Sequence, residues 1–252
     1  MESFLNRGRP LLTLMLKARE EKPLLDEIAH GAAAGADAYC LQMETLRRED
    51  RARLCLTRLF AAMGEKPAYV TDYRRGNVCP YTQSDDELAD ELRLAASCGA
   101  RLIDVRGDMF EPTPGELTLN EAAVKKQECF IEALHAAGAE VLMSSHVLRY
   151  IPAEEVVCIA REQRRRGADI CKIVTTADTE AELHENLRGL GLLRDAVDVP
   201  TLFLCNGALC RRHRMLGPLL GACMALVVLP DVPVGAQPRI DDMRAMISLC
   251  GM

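Results

Sequence analysis

One lysine, Lys172, stands in the middle of the apolar sequence Ile-Cys-Lys-Ile-Val at residues 170–174, which is typical of a buried parallel strand. A lysine in that position loses much of its hydration, and burial disfavours its ammonium form. The resulting amine is a nucleophile that can attack a ketone or an aldehyde. The structural alternative is a lysine whose carbon chain is buried while its ammonium group reaches solvent at the end of the strand. This residue alone leaves both interpretations open.

A histidine lies one predicted strand before this lysine. Of the five histidines in the chain, only His146 falls at the end of a predicted strand. His30, His135 and His184 fall in helical segments and are expected to face solvent. A strand-end histidine near an amine that captures carbonyl groups is suited to general acid–base catalysis. A lone histidine is more often a structural hydrogen-bonding group, so the catalytic interpretation depends on its pairing with Lys172.

The segments that must position these two residues alternate regularly along the chain. Short apolar segments predict strands at residues 11–17, 38–44, 68–73, 101–106, 140–148, 169–175, 201–206 and 225–229. Charged, amphipathic segments predict helices at residues 85–97, 120–137, 152–166 and 179–193. Two of these helices begin with the spacing of a capping box, Ser84 with Glu87 and Thr179 with Glu182.

Eight strands that alternate with helical segments, without a break in composition, predict an α/β protein with a single (β/α)8 TIM barrel domain over residues 1–252. The alternative is a doubly wound open sheet, but no glycine-rich phosphate-binding motif follows the first strand. In a barrel, catalytic residues are expected at the C-terminal ends of the strands. The polar residues at those ends are Gln42, Glu44, Asp72, Tyr73, Arg74, Asp104, Arg106, Ser144, Ser145, His146, Lys172, Cys205 and Asn206. A structural ion pair between Asp104 and Arg106, and two serines that cap a turn, would also explain part of this set.

The composition limits the classes of function. A net charge of −6 and a pI near 5.5 argue against nucleic acid or an anionic membrane as the main partner. The eleven cysteines are scattered, without a Cys-x-x-Cys pair or the spacing of a zinc site, which favours a reduced, cytoplasmic protein. The N-terminus lacks the apolar core of a signal peptide, and no apolar run reaches membrane-spanning length. We therefore expect a soluble, intracellular protein.

Around the lysine and the histidine, the sequence resembles the type I 3-dehydroquinate dehydratases, and the resemblance spans nearly the whole chain in order. The family's Ser-x-His segment with a proline-started helix resembles residues 143–148 followed by Pro152, and its Gly-Ala-Asp-Ile-x-Lys strand matches residues 167–172. Residues 207–214 are similar to the family's Gly-x-x-Gly-x-x-Ser-Arg loop, although the second glycine and the serine are replaced. A Pro-Gly-Gln sequence near the C-terminus is similar to residues 235–237.

This resemblance implies that Lys172 forms a Schiff base with a substrate ketone and that His146 is the general acid–base. It also implies that Arg214 and Gln237 bind the substrate, with the planar guanidinium of Arg214 holding a carboxylate. On the residues alone, Arg214 ends a basic run at residues 211–214, and such runs are usually solvated. The chemistry needs no metal and no organic cofactor, and the resemblance implies a homodimer.

The second and third strands depart from the family pattern. Residues 40–44 align with a Glu-x-Arg-x-Asp motif but lack its first acid and its arginine, and residues 71–73 align with Thr-x-Arg but end in a tyrosine. The candidates for substrate binding on these strands are Gln42, Glu44, Tyr73 and Arg74. The acid that orients the catalytic histidine is absent, with Asn77 near its place. The candidates to replace that acid are Asp72, Glu44 and Asp104.

Three functions are compatible with these residues. The first is a 3-dehydroquinate dehydratase with a remodelled pocket, acting on a small hydroxy-ketone carboxylate. The second is a class I lyase or aldolase-type enzyme acting on a related hydroxy-ketone, and the third is a non-catalytic barrel that binds a metabolite. The presence of both Lys172 and His146 favours catalysis. Residues 109–119, which contain two prolines and a glycine, are either a lid over the site or an ordinary surface loop.

Overall fold

The computed structural model describes residues 2–5, 8–74, 83–233 and 235–252. Asn77, which stands near the place of the family's orienting acid, lies outside these residues. Within the described chain, the strands β1 to β8 are Leu11–Met15, Ala38–Gln42, Ala68–Thr71, Leu102–Arg106, Glu140–His146, Ile170–Thr176, Thr201–Asn206 and Met224–Val227. The helices α1 to α8 are Glu21–Ala33, Arg53–Ala62, Asp85–Cys98, Glu121–Ala136, Ala153–Arg165, Glu180–Ala196, Cys210–Leu216 and Ile240–Leu249.

The strands form one parallel sheet in which β1 to β7 pair in sequence order and β8 pairs with β1. A parallel bridge between Thr201 and Ala222 joins the start of β7 to the segment before β8, so that the sheet is nearly closed. Helices follow the strands around this sheet. The fold is therefore the TIM barrel predicted from the sequence, and the doubly wound alternative is wrong.

Local sequence explains where several elements begin and end. Ser84 and Thr179 each accept a hydrogen bond from the backbone N–H three residues later, and both predicted capping boxes are formed. Gly99 caps the end of α3 with φ of 115°, a left-handed conformation that favours glycine. Strand β2 ends at Gln42 rather than at residue 44 because the chain turns there into a short 3₁₀ helix, Met43–Thr45.

The interior of the barrel is filled by apolar side chains from the strands. At its N-terminal end, the buried Phe4 packs edge-to-face against Tyr69, with ring centroids 6.4 Å apart. The backbone N–H of Phe4 donates to the Glu140 carboxylate at 2.9 Å, which holds this segment against the start of β5. None of the described helices is both long enough and apolar enough to cross a membrane.

Candidate active site

A cavity of about 220 Å³ opens at the C-terminal ends of the strands. Six of the residues predicted from the sequence to form the site line it: Gln42, Tyr73, His146, Lys172, Arg214 and Gln237. Its other polar walls are Lys17, Cys40, Tyr69, Thr71 and Asn206. The structure therefore brings together residues from most of the strands at the end of the barrel where chemistry is expected.

The ammonium group of Lys172 is buried and fully partnered. It lies 3.1 Å from the carboxylate of Asp104 and donates to the hydroxyls of Tyr73 at 2.7 Å and Tyr69 at 3.0 Å. The side chain does not extend to solvent, so the structural alternative for this lysine is wrong. The loss of hydration inferred from the sequence is offset by an ion pair that the sequence did not reveal.

Asp104 is the centre of this cluster. Its carboxylate accepts hydrogen bonds from Tyr69, from Tyr73 at 2.5 Å and from Ser144 at 2.5 Å. Burial acts to raise the pKa of Asp104, but the charge of Lys172 and the three hydroxyl donors hold it below its usual range. Asp104 is therefore an ionised partner of the lysine.

The alternative pairing of Asp104 with Arg106 is wrong. Arg106 lies 3.0 Å from Asp108 and 3.2 Å from Glu116, and its side chain belongs to a separate cluster of charges. Ser144 does not cap a turn either, because its hydroxyl donates to Asp104 inside the barrel.

The two tyrosines of the cluster are neutral hydroxyl donors. Burial, together with the negative charge of Asp104, raises the pKa of both Tyr69 and Tyr73 well above the usual value. Their rings lie at opposite ends of the cluster. Tyr73 packs edge-to-face against the His146 ring at 5.2 Å, towards the cavity, whereas Tyr69 packs against Phe4.

His146 is held by a carboxylate that the sequence interpretation missed. Its Nδ1 lies 2.6 Å from Oε2 of Glu116, and its backbone N–H donates to the same oxygen at 3.2 Å. Burial lowers the pKa of His146 below its usual range and the charge of Lys172 acts in the same direction, while the hydrogen bond with Glu116 opposes them. The ring is therefore neutral near pH 7, as a general base must be.

Glu116 belongs to the segment of residues 109–119, between β4 and α4. Burial acts to raise the pKa of its carboxyl, but the bond with His146 and the charge of Arg106 hold it below the usual range. Its backbone has φ of 53°, which is uncommon for a residue other than glycine. The carbonyl of Glu116 accepts from the Ser145 hydroxyl at 2.9 Å, and a Cβ added to Gly107 would lie 2.6 Å from that carbonyl. The missing side chain of Gly107 thus permits this close approach.

Buried polar side chains anchor the same segment. The guanidinium of Arg166 donates to the backbone carbonyls of Gly107 and Thr118, at 3.0 and 2.6 Å. The amide of Gln127 donates to the carbonyls of Gly107 and Met109, at 3.1 and 2.8 Å. These bonds fix the segment as a support for the histidine rather than as an ordinary surface loop.

None of the three acids considered as orienting groups contacts His146 among the described residues. Asp104 pairs with Lys172, and Asp72 lies beside Arg51, 3.7 Å away. Glu44 is buried and accepts from the Thr71 hydroxyl at 2.9 Å. None of these candidates therefore orients His146 in this structure, because the acid in contact with its ring is Glu116.

Arg214 presents an unneutralised positive charge to the cavity. It is buried, and its guanidinium donates to the Cys205 carbonyl at 3.1 Å, to Gln237 Oε1 at 3.0 Å and to Asn206 Oδ1 at 3.1 Å. No carboxylate lies within ion-pair distance of it in the described chain, and burial lowers its pKa. The interpretation of Arg214 as part of a solvated run is wrong, although its neighbour Arg212 is exposed.

Two predicted substrate-binding residues do not reach the cavity. The Glu44 carboxylate is turned to Thr71, with Gln42 Nε2 3.4 Å from its other oxygen. Arg74 forms ion pairs with Asp85 and, at 3.3 Å, with Asp108. We assign both residues to the support of the site, because neither lines the cavity and their charged groups are already bonded to protein partners.

In the part of the chain that the structure describes, one group of side chains is close enough together to hold a metal ion. It consists of Glu21, Asp50 and Cys55, which lie near α1 and α2 and do not line the cavity. The Glu21 carboxylate is already paired with Arg58 at 2.5 Å. This group therefore has no part in the chemistry of the cavity.

Comparison with known proteins agrees with this geometry. The family model for type I 3-dehydroquinase matches residues 13–252. The 3-dehydroquinate dehydratase of Dehalococcoides mccartyi is 26% identical over 172 residues, which are 68% of this chain and 69% of the relative. That of Klebsiella pneumoniae is 23% identical over 167 residues, 66% of this chain and 64% of the relative. The crystal structure of 3-dehydroquinate dehydratase from Geobacillus kaustophilus has the same fold, with a TM-score of 0.83 at 17% identity, covering 98% of this chain and 93% of that chain. Since the family model spans nearly the whole sequence, the chain belongs to the type I 3-dehydroquinase family.

Proposed function

We propose that this protein is a hydro-lyase that converts 3-dehydroquinate to 3-dehydroshikimate and water through an iminium on Lys172. The observation that carries the proposal is the convergence, in one cavity, of a buried lysine, a neutral histidine and a buried guanidinium without a carboxylate partner. Family membership supports the same reaction, which belongs to the shikimate pathway.

The lysine provides the electron sink. Condensation of Lys172 with the substrate ketone gives an iminium, whose positive nitrogen acidifies the adjacent carbon. The Asp104 carboxylate, 3.1 Å from Nζ in the resting protein, lies beside the positive nitrogen both before capture and in the iminium. Capture of the ketone therefore moves no net charge into the buried cluster.

The histidine moves the protons of the elimination. The Glu116 carboxylate accepts a hydrogen bond from Nδ1–H of His146, which leaves Nε2 unprotonated and able to remove a proton from the carbon next to the iminium. The protonated ring then assists the departure of the β-hydroxyl as water. Hydrolysis of the iminium releases a conjugated enone. Acid–base assistance of this kind typically contributes about 10²- to 10⁴-fold to the rate.

The guanidinium of Arg214 binds the substrate carboxylate. Its present partners, the Cys205 carbonyl, Asn206 and Gln237, are neutral acceptors that orient it without neutralising it. A bidentate bond between guanidinium and carboxylate would fix one end of the ring and present its ketone to Lys172.

One observation favours a second candidate, a class I lyase acting on a related hydroxy-ketone. The cavity wall from β2, β3 and the residues after β3 contains Cys40, Gln42, Tyr69, Thr71 and Tyr73, none of which is charged near pH 7. Family members carry an acid and arginines at three of these positions, and a wall without them contacts substrate hydroxyls differently. A non-catalytic barrel is disfavoured, because a binding protein needs neither the lysine nor the oriented histidine.

The test is turnover of 3-dehydroquinate, measured as the ultraviolet absorbance of the enone product. Lys172→Met removes the amine and is expected to abolish turnover, whereas Lys17→Met removes a cation from the same cavity without touching the reacting centre. Reduction with borohydride during turnover should attach the substrate carbon skeleton to Lys172, as detected by mass spectrometry. Absence of turnover and of this adduct in the unaltered protein would refute the dehydratase assignment.

A substitution on β2 separates the two candidates. If the pocket is a modified 3-dehydroquinate site, Gln42→Arg is expected to raise kcat/KM for 3-dehydroquinate. If the neutral wall serves another hydroxy-ketone, the same substitution lowers the turnover of that ketone and leaves 3-dehydroquinate inert.

We further propose that the protein is a homodimer, as the family resemblance implies, and that it lies in the cytoplasm, as its scattered cysteines favour. We also propose that the chain forms one domain, because strands and helices alternate without a break in composition. Light scattering during size-exclusion chromatography measures the first property. A single cooperative transition in urea, the same by fluorescence and by circular dichroism, is expected for one domain.

A further inference from the structure

The phenol of Tyr73 bridges the two charged groups at the reacting centre. Its oxygen accepts a hydrogen bond from Lys172 Nζ at 2.7 Å and donates to Asp104 Oδ2 at 2.5 Å. Tyr73 also lines the cavity into which the substrate ketone must enter. The elimination described above gives this hydroxyl no task.

Formation of the iminium requires proton transfers at this place. A lysine ammonium has three N–H bonds and the iminium keeps one, so two protons must pass from nitrogen to the ketone oxygen, which leaves as water. In the described part of the chain, no hydrogen bond joins the His146 ring to Lys172, and Nδ1 of that ring is committed to Glu116. The Tyr73 oxygen is the side-chain oxygen nearest to Nζ among the three that contact it.

We propose that Tyr73 is an acid–base residue that makes and breaks the bond between Lys172 and the substrate, with Asp104 as the proton reservoir, while His146 moves the protons of the elimination. This inference rests on the proposed function, since it assigns a role within an iminium mechanism.

The transfers balance in atoms and charge. The Lys172 ammonium gives a proton to the Tyr73 oxygen while the phenol proton passes to Asp104, which leaves a neutral amine, phenol and carboxylic acid. The amine lone pair then forms the C–N bond, the carbonyl π electrons move to oxygen, and one N–H proton passes to that oxygen. Tyr73 next donates its proton to the hydroxyl and recovers one from Asp104. Water departs, and the nitrogen lone pair forms the C=N bond of the iminium beside the restored carboxylate.

Tyr69 contacts the same two groups and also lines the cavity, but it is less suited to this role. Its hydroxyl is 3.0 Å from Nζ, and its ring packs against Phe4 at the N-terminal end of the barrel interior. The ring of Tyr73 instead lies against His146, 5.2 Å away, beside the position where the carbonyl oxygen must depart. We therefore assign the proton transfers to Tyr73 and the anchoring of the ion pair to Tyr69.

The experiment compares Tyr73→Phe with Tyr69→Phe and His146→Asn in single-turnover rapid-quench reactions with 3-dehydroquinate. Borohydride in the quench traps the iminium on Lys172 for mass spectrometry, and absorbance follows the enone. We expect Tyr73→Phe to slow the appearance of the iminium about 10²-fold or more. His146→Asn should instead accumulate iminium without enone, and Tyr69→Phe should slow iminium formation less than about 10-fold.

Two controls separate a chemical role from damage to the fold. Tyr39→Phe removes a buried hydroxyl that donates to the Ile28 carbonyl and does not line the cavity, and it should leave both rates unchanged. Melting temperatures and product affinity, which depends on Arg214, should be retained in Tyr73→Phe.

The outcomes are distinct. Iminium formation at the unaltered rate in Tyr73→Phe overturns the acid–base role of Tyr73 and leaves the proposed function standing. An equal loss of the rate of iminium formation in Tyr73→Phe and Tyr69→Phe has the same consequence. Absence of any trapped iminium in the unaltered protein refutes the proposed function, and with it the role of Tyr73.

Discussion

Removal of the Glu116 charge tests how His146, the proposed general base, is oriented. In Glu116→Gln, the side chain keeps its size but loses the carboxylate that lies 2.6 Å from His146 Nδ1. Arg106 retains Asp108 as its partner at 3.0 Å, so the substitution does not leave that cation unpaired. We expect kcat to fall while KM for the substrate changes little.

The magnitude follows from the contact. A hydrogen bond to a charged group contributes about 1.5–3 kcal/mol, and one pKa unit corresponds to about 1.4 kcal/mol. Because Glu116 raises the pKa of His146, loss of its charge should lower that pKa further. The acidic limb of the kcat/KM profile, which reports protonation of the free base, should therefore move to lower pH. With the tautomer no longer fixed, kcat should fall about 10- to 100-fold.

The assay is the initial rate of enone formation as a function of pH. Glu111→Gln is the matched control, because Glu111 lies on the same segment and its recorded partner is the Thr118 hydroxyl at 3.3 Å, not the histidine. An unchanged kcat and an unmoved acidic limb in Glu116→Gln would refute the orienting role, as would an equal loss in both variants.

Three further predictions follow from the packing and charges of the barrel. Gly107→Ala places a Cβ 2.6 Å from the Glu116 carbonyl and should lower kcat as strongly as Glu116→Gln, whereas Gly191→Ala meets nothing within 4 Å and should not. Arg214→Lys should lower kcat/KM about 10- to 100-fold, mainly through KM, because an ammonium cannot form the bidentate bond; an unchanged KM would contradict this. His213 is buried with a pKa of about 4, below its usual value, so the unfolded chain takes up a proton first as the pH falls. Its stabilising effect is present above about pH 6.5 and should be lost towards pH 4, by roughly 3 kcal/mol in urea unfolding, and His213→Phe should flatten this dependence.

The barrel could be predicted from the sequence because its signals are local. Apolar runs separated by capped amphipathic helices determine the strand order, and the capping boxes at Ser84 and Thr179 mark two helix starts within one residue. The sequence predicts strands that are too long where polar residues continue an extended run. The predicted second strand runs to residue 44, but β2 ends at Gln42 because the turn there depends on packing rather than on composition.

The partners of the reacting residues depended on contacts that are distant in sequence. The ion pair of Asp104 with Lys172 joins β4 to β6, and both residues point inwards from even-numbered strands, whose side chains share layers in barrels. The strand positions of the two residues are therefore a signal in the sequence for their contact. Glu116 was harder to find, because its approach to His146 depends on Gly107 and on the buried Arg166. The family motif has the orienting acid after β3, so it does not predict an acid from the connection between β4 and α4.

The packing of Phe4 against Tyr69 determines the route by which substrate, water and product enter and leave the cavity. Since the N-terminal end of the barrel interior is filled by this aromatic pair, the cavity communicates with solvent through the opposite mouth. Substrate, both expelled water molecules, the water that hydrolyses the iminium and the product all share that passage. A substrate or product bound in the cavity therefore obstructs the passage by which the water that hydrolyses the iminium must enter.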